Sequence, residues 1–198
     1  MFAYSEDQLG KAVLERILST IDVDYTRWTI DEKRGNGRLQ ASIPQYAKLA
    51  NRHDVILFTD LDAAACPPAL IRNWMGRTPR PTRLHIRVAV REVESWLLAD
   101  REGVADFLRV PVSVVPRNPD QEADPKRTLL RVAARSKARA IREDIVVFRN
   151  NEPRQALNYN SSLATFVADR WDIDRAVAAS PSLARTVARL ASSLRGQP

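Results

Sequence analysis

The sequence predicts an α/β fold, a mostly parallel sheet flanked by helices, followed by a C-terminal helical appendage. Three observations carry this. Strand-like and helix-like segments alternate through residues 1–100, one of the strands is continuously apolar, and the pattern changes after about Asp100 to short helices joined by turns at Pro111, Pro116, Pro119 and Pro125. The predicted division is 1–100 for the α/β core and 101–198 for a basic, mainly helical appendage.

The elements follow in order. Phe2–Ser5 is a short strand, and Gln8–Thr20 carries Leu9, Val13 and Ile17 at helical spacing, flanked by Leu14, Leu18 and Ile21. Asp24–Ile30, rich in Tyr, Thr, Trp and Ile, reads as a strand, and Gly35-Asn36-Gly37 reads as a break followed by a loop. Pro44 after Ser42 opens a short helix through Asn51. Val55-Ile56-Leu57-Phe58 is apolar at every position, as a strand buried on both faces requires. Pro67-Pro68 opens a helix over Ala69–Trp74, Leu84–Val90 alternates as a strand, and another helix begins near Glu92. A last helix covers Ser182–Leu194 after Pro181. In a sheet of this kind ligands bind at the carboxyl ends of the strands.

Composition narrows the class. A 198-residue chain with 44% hydrophobic and 28% charged residues can bury a sizeable core, which excludes wholesale disorder. Cys66 is the one cysteine, so neither an intramolecular disulfide nor a cysteine-rich zinc site is available, and His53 and His85 have no partners at zinc-ligand spacing. Glu6 and Asp7 stand where a signal peptide would need a basic and then an apolar stretch, and no apolar run has the length of a membrane span; a cytoplasmic protein is expected. Trp28, Trp74, Trp96 and Trp171 are expected to anchor the core.

The formal charge is +7, and residues 1–100 hold 14 basic and 13 acidic side chains against 17 and 11 in 101–198. The excess is sharpest over Lys126, Arg127, Arg131, Arg135, Lys137, Arg139 and Arg142, a run without any acid. Such a face suits a phosphate backbone, although a solvated helix surface has the same composition.

Carboxylates mark the strand ends. Glu6 follows the first strand, Asp60-Leu61-Asp62 follows the apolar one, and Glu92 and Glu94 follow the next, so they can converge on one rim. Oxygen ligands of this kind, completed by water and substrate phosphate, hold Mg²⁺, with Glu94 the better candidate to complete the site or hold a second ion. The same residues can instead cap helices or answer a helix dipole.

Glu6 after Tyr4-Ser5 and before a helix, with Asp60-Leu61-Asp62 after a later hydrophobic strand, resembles the pattern of the Toprim fold of topoisomerases, primases and overcoming-lysogenization-defect nucleases. Over nearly the whole chain, Glu6-Asp7-Gln8-Leu9, Thr59-Asp60-Leu61-Asp62 with Cys66-Pro67-Pro68, Arg91–Asp100, Asp124-Pro125-Lys126, Tyr159-Asn160 and Ser180–Ala184 are similar to an uncharacterised bacterial domain-of-unknown-function family regarded as Toprim-like; the Arg91–Asp100 block is the most specific of these. The resemblance implies Glu6 as general acid or base, Asp60 and Asp62 as metal ligands, and Mg²⁺- or Mn²⁺-dependent phosphodiester hydrolysis. Lys126 would neutralise the scissile phosphate, or else stand as a solvated lysine in the first turn of a helix. Tyr159 and Asn160 would close over the site or cap a helix. The chain departs from the pattern at Asp7, where many Toprim proteins have Gly, and at Ala63, Ala64 and Ala65, where topoisomerases carry further acids. A topoisomerase would also need a separate tyrosine-bearing domain, so a nuclease or nuclease subunit is the expectation.

No Gly-x-x-x-x-Gly-Lys-Ser/Thr loop occurs. Similar proteins resemble effectors of two-gene defence systems, so the resemblance implies a P-loop ATPase partner. Two other classes are open. Four apolar residues leading into Asp-x-Asp also describe the nucleophile motif of haloacid-dehalogenase-type phosphatases, although that motif normally starts the fold. A non-catalytic module would grip nucleic acid or an acidic partner through Lys126–Arg142 and use the carboxylates only structurally.

Overall fold

The computed structural model describes residues 1–21, 24–33 and 35–194; residues 195–198, the end of the second predicted segment, lie outside it. Four strands, β1 (Phe2–Ser5), β2 (Thr29–Glu32), β3 (Val55–Asp60) and β4 (Leu84–Ala89), form one parallel sheet in the order β2-β1-β3-β4. Phe2 pairs with both Thr29 and Val55, and β3 pairs with β4 from Val55–Leu84 through Asp60–Ala89. The chain steps from β1 to β2 on one side and then to β3 and β4 on the other. The topological switch therefore lies between β1 and β3, where open α/β sheets leave a crevice for ligands.

Helix α1 (Gln8–Thr20) joins β1 to β2, α2 (Asn36–Ala41) and α3 (Ile43–Leu49) lead into β3, and α4 (Pro67–Met75) leads into β4. The apolar run of β3 is buried on both faces, as its composition requires. Ile56 and Phe58 join a core with α1 and the C-terminal helices, while Val55 and Leu57 join a second core with Leu39, Ile43, Tyr46 and Trp74. Close packing fixes Gly10 in α1, where a Cβ would lie 3.3 Å from Cβ of Ser5 and 3.4 Å from the Phe58 ring.

Two local readings are corrected. The expected strand at Asp24–Ile30 is a 3₁₀ turn at Tyr25–Arg27 followed by β2. The Thr26 hydroxyl donates to the Asp24 carboxylate and the Arg27 N–H donates to the Asp24 carbonyl, local bonds that compete with a ladder. Gly35-Asn36-Gly37 is not followed by a loop: Gly35, at φ 116°, caps α2, whose first residues are Asn36 and Gly37.

After α5 (Val93–Ala99) and α6 (Arg101–Leu108) come 3₁₀ turns at Val112–Val114 and Pro119–Gln121, then α7 (Pro125–Ala133) and α8 (Arg139–Ile145). An antiparallel ribbon follows, β5 (Val146–Arg149) and β6 (Glu152–Gln155), and then α9 (Tyr159–Asp169), α10 (Ile173–Ala179) and α11 (Pro181–Leu194). The ribbon interrupts the expected run of helices; Asn150 and Asn151 take the left-handed conformation that a two-residue hairpin turn needs. These helices share the core of the α1 face, with Tyr159, Phe166, Trp171 and Leu190 packed into the same cluster as Leu9 and Val13. Among the described residues no helix is long and apolar enough to cross a membrane.

Two polar knots fasten the second half to the sheet. Trp96, fully buried and stacked on Phe58 at 5.2 Å, donates its indole N–H to Oγ of Ser182 at 2.7 Å, and the Asp120 carboxylate accepts from the Ser180 hydroxyl and the Ser182 N–H. The Asp100 carboxylate, fully buried, accepts from the Gly103 and Asp172 N–H groups at 3.1 and 2.8 Å and from the Arg175 guanidinium at 2.7 and 3.1 Å. A Cβ on residue 103 would stand 2.0 Å from Oδ2 of Asp100, so only glycine fits.

Asp100→Ala should lower unfolding stability by about 3 kcal/mol, through loss of charge-assisted bonds and a helix cap, with an unchanged m-value in urea. Gly103→Ala should destabilise the wild type by about 2 kcal/mol but cost far less in the Asp100→Ala background, a coupling read from the double-mutant cycle. At the opposite end of the sheet, buried His85 contacts Oδ1 of Asp54 at 3.1 Å. Burial pulls the imidazole below its ordinary pKa, with Arg87 and Arg80 adding to the effect and Asp54 opposing it. The unfolded chain then binds a proton that the folded one refuses. Melting temperature should fall as pH drops below about 6.5, and His85→Gln should flatten that slope.

Candidate metal and phosphate site

Glu6 and Asp60 end neighbouring strands of the parallel sheet, and the register brings them together. Oε1 of Glu6 accepts from the Thr59 hydroxyl and, at 3.2 Å, from the Asp60 N–H. The carboxylate that follows β1 is thereby tied to the last turn of backbone in β3. Oδ1 of Asp60 in turn accepts from the Val93 N–H at 2.9 Å, in the first turn of α5. Glu6 also lines an open cleft of about 350 Å³ with Asp7, Gln8, Glu32, Gly35 and Asn160.

Glu94 completes the group from α5. It is 1% exposed; Oε1 accepts from the Tyr159 hydroxyl at 2.9 Å and lies 3.5 Å from Nζ of Lys126, whereas Oε2 is buried with no hydrogen-bond partner. Tyr159 comes from α9 and Lys126 from α7, so the second half of the chain supplies two of the groups at the sheet's switch point. Asn160 reaches the same rim, donating to Oδ2 of Asp7 at 3.1 Å, while Oδ1 of Asp7 caps α1 through the Gly10 N–H.

The remaining expected residues are arranged differently. Glu92 accepts the Lys126 backbone N–H at 2.9 Å, so it ties α7 to the start of α5 rather than presenting both oxygens to the cluster. Asp62 is exposed, left-handed at φ 49°, and its Oδ2 accepts from Asn36 at 3.0 Å. Arg127, Arg131, Arg135, Lys137 and Arg139 lie on the exposed surface, with Arg127 paired to Glu152 and Arg139 to Glu143. Cys66 is the residue before α4, and a free thiol.

Thr59 and Asn36 were not among the sequence candidates. The available signal for Thr59 was its place at the end of the apolar run of β3, one residue before Asp60 at the sheet's carboxyl edge. Asn36 had none, because its reach to Asp62 depends on α2 forming.

The electrostatics are those of crowded acids. Burial raises the Asp60 carboxyl well above the ordinary carboxylate range; Glu94 and Glu6 push it further up, Lys126 opposes them and Asp62 adds to the rise. Burial also raises Glu94, against the pull of Lys126, and raises Glu6, against its bonds from Thr59 and Asp60. Partial burial draws the Lys126 ammonium down, yet the charges of Glu94, Glu92, Asp60 and Asp7 outweigh it and push the pKa up to about 12. Lys126 is therefore a fixed cation at neutral pH. Burial and the adjacent Glu94 hold Tyr159 protonated, as a donor to that carboxylate.

One ammonium does not balance three carboxylates. Their donor atoms are all oxygens, and the unpartnered Oε2 of Glu94 is the kind of buried acceptor that a hard divalent cation satisfies. Among the described residues no three His, Cys, Asp or Glu side chains form a ready-made cage. An ion here would draw the rest of its shell from water and substrate, as Mg²⁺ usually does. No family model matches the chain, and no curated protein or solved structure is significantly similar to it.

Two substitutions should move metal-free stability in opposite directions. Tyr159→Phe leaves Glu94 without its neutral donor and should cost about 1–2 kcal/mol in urea unfolding. Asp60→Asn keeps an acceptor for the Val93 N–H while removing a repelled charge, and should raise the melting temperature in EDTA at neutral pH.

Proposed function

We propose that the chain is a Toprim-like, Mg²⁺- or Mn²⁺-dependent nuclease, or the nuclease subunit of a larger assembly, that hydrolyses phosphodiester bonds of nucleic acid. The observation that carries the reading is the direct link between Glu6 and Asp60 across the switch point of a parallel sheet, with Glu94 and Lys126 at the same edge. This Glu and Asp-x-Asp order along the chain is the one that resembles the Toprim pattern.

Asp60 and Glu94, through Oε2, would hold the divalent cation, with water and substrate completing its shell, and the ion would supply Lewis-acid stabilisation of phosphate charge. Lys126, charged throughout the neutral range, would stabilise negative charge on the phosphoryl oxygens. Glu6 has one oxygen engaged by Thr59 and Asp60, and its raised pKa suits it to take a proton from the attacking water at the cleft. Tyr159 holds Glu94 in place and Asn160 steadies Asp7 at the rim. The haloacid-dehalogenase-type alternative needs Asp60 as a free nucleophile, whereas its Oδ1 is engaged by the Val93 N–H. With no phosphate-binding loop of its own, the chain would rely on a separate P-loop ATPase for any nucleotide hydrolysis, in a cytoplasmic setting.

The test is cleavage of mixed DNA and RNA substrates with Mg²⁺ or Mn²⁺, with a host ATPase absent and added. Wild type should cleave only with metal, and Glu6→Gln and Asp60→Asn should each reduce the rate by about 10²–10³-fold at unchanged circular dichroism. Metal-independent binding that survives Asp60→Asn, without cleavage in any combination, would instead favour the non-catalytic module.

A further inference from the structure

Residues 126–155 hold nine Lys and Arg side chains against three acids, and each acid is already engaged. Glu143 takes Arg139 at 2.8 Å, Glu152 takes Arg127 at 3.2 Å, and Asp144 accepts from Asn158 at 3.0 Å. Arg131, Arg135, Lys137, Arg149 and Arg154 are exposed and, among the described residues, have no ion-pair partner. Arg127, Arg131 and Arg135 recur at four-residue intervals, which aligns them along one face of α7 and its last turn.

The β5–β6 ribbon stands beside this face. Its base is fixed by buried Ile145 and Val146 and by the Ala156 N–H donating to the Ile145 carbonyl at 3.1 Å. Successive side chains of a strand point to opposite faces. Val147, Phe148 and Arg149 are nevertheless all exposed, Phe148 by 54%, so both faces of the outer ribbon are open. Glu152, the first residue after the Asn150-Asn151 turn, is held by Arg127, and the neighbouring Lys126 contacts Glu94. The ribbon tip is thereby tethered at the end of α7 that carries the candidate site.

We infer that the β5–β6 ribbon and the exposed face of α7 form the surface along which a nucleic-acid strand approaches the carboxylates, Phe148 stacking on an unpaired base while Arg131, Arg135, Arg149 and Arg154 meet phosphates. The inference rests on the nuclease reading for its direction but not for its binding chemistry. The register places Val147, Arg149, Glu152 and Arg154 on one face of the ribbon and Phe148 and Pro153 on the other, so a strand passing along the edge of this two-stranded ribbon meets an aromatic ring on one side and uncompensated guanidinium groups on the other. Single strands require both, because every base has a π-face and every nucleotide a charge. A protein partner would have to bring several acids to match the same patch.

The test is fluorescence anisotropy of a labelled oligothymidylate in EDTA, across a KCl series, for wild type, Phe148→Ala and the double variant Arg149→Ala/Arg154→Ala. Phe148 is exposed, so its variant should keep the wild-type melting temperature. Phe148→Ala should bind about tenfold or more weakly, and the double variant should lower the log–log salt slope by about 0.7 per lost phosphate contact. Unchanged affinity and slope in the ribbon variants would overturn the inference. If metal-dependent cleavage also persisted, the nuclease reading would stand without it; lost ribbon binding with no cleavage by wild type would leave the inference standing and remove the nuclease reading. A wild type that neither binds nor cleaves overturns both.

Discussion

Three acids share the carboxyl edge of a four-stranded parallel sheet, and the rest of the molecule answers their mutual repulsion. The Glu6 carboxylate is bound to β3 through the Asp60 N–H, the Asp60 carboxylate is bound to α5 through the Val93 N–H, and Glu94 is driven in from α5 with one oxygen unmatched. Burying like charges together is unfavourable unless donors or cations compensate. Here Thr59, the Asp60 and Val93 amides, Tyr159 and Lys126 supply part of that compensation, from β3, α5, α9 and α7. Elements from the whole length of the chain are organised around one small volume.

This accounts for the way the second half is fastened. Tyr159 and Lys126 can meet Glu94 only if α7 and α9 are fixed relative to α5. The Asp100 carboxylate ties the end of α5 to α10 through Arg175 and Asp172, and Trp96 with Ser182 ties the middle of α5 to α11. Glu92, expected as a ligand, secures α7 through the Lys126 amide. The apparent appendage is thus part of the scaffold that holds the edge residues, and its core is shared with α1.

Much of this architecture was legible in the sequence because its periodicity is strong. Phe2–Ser5, Gln8–Thr20 and the apolar strand beginning at Val55 stand where their patterns require, and strand ends locate Glu6, Asp60 and Glu94 at one rim. What was not legible depends on tertiary partners or turn chemistry. The start of β2 is displaced by the hydrogen bonds of Asp24 and Thr26, and the β5–β6 ribbon has strands of four residues set between helices. The roles of Glu92 and Asp62 turn on single bonds, to the Lys126 amide and to Asn36, which no spacing encodes. Lys126 was placed at the site by resemblance alone; its ion pair with Glu94 supplies the physical reason.

The central claim is that the residual negative charge at the switch point belongs to a divalent cation. The most direct measurement is isothermal titration of Mn²⁺ into the metal-free protein at neutral pH, alongside Asp60→Asn and Glu94→Gln. The account predicts saturable binding to the wild type that is weakened at least about tenfold in each variant. Binding that is absent from the wild type, or that is unaffected by both substitutions, would contradict it.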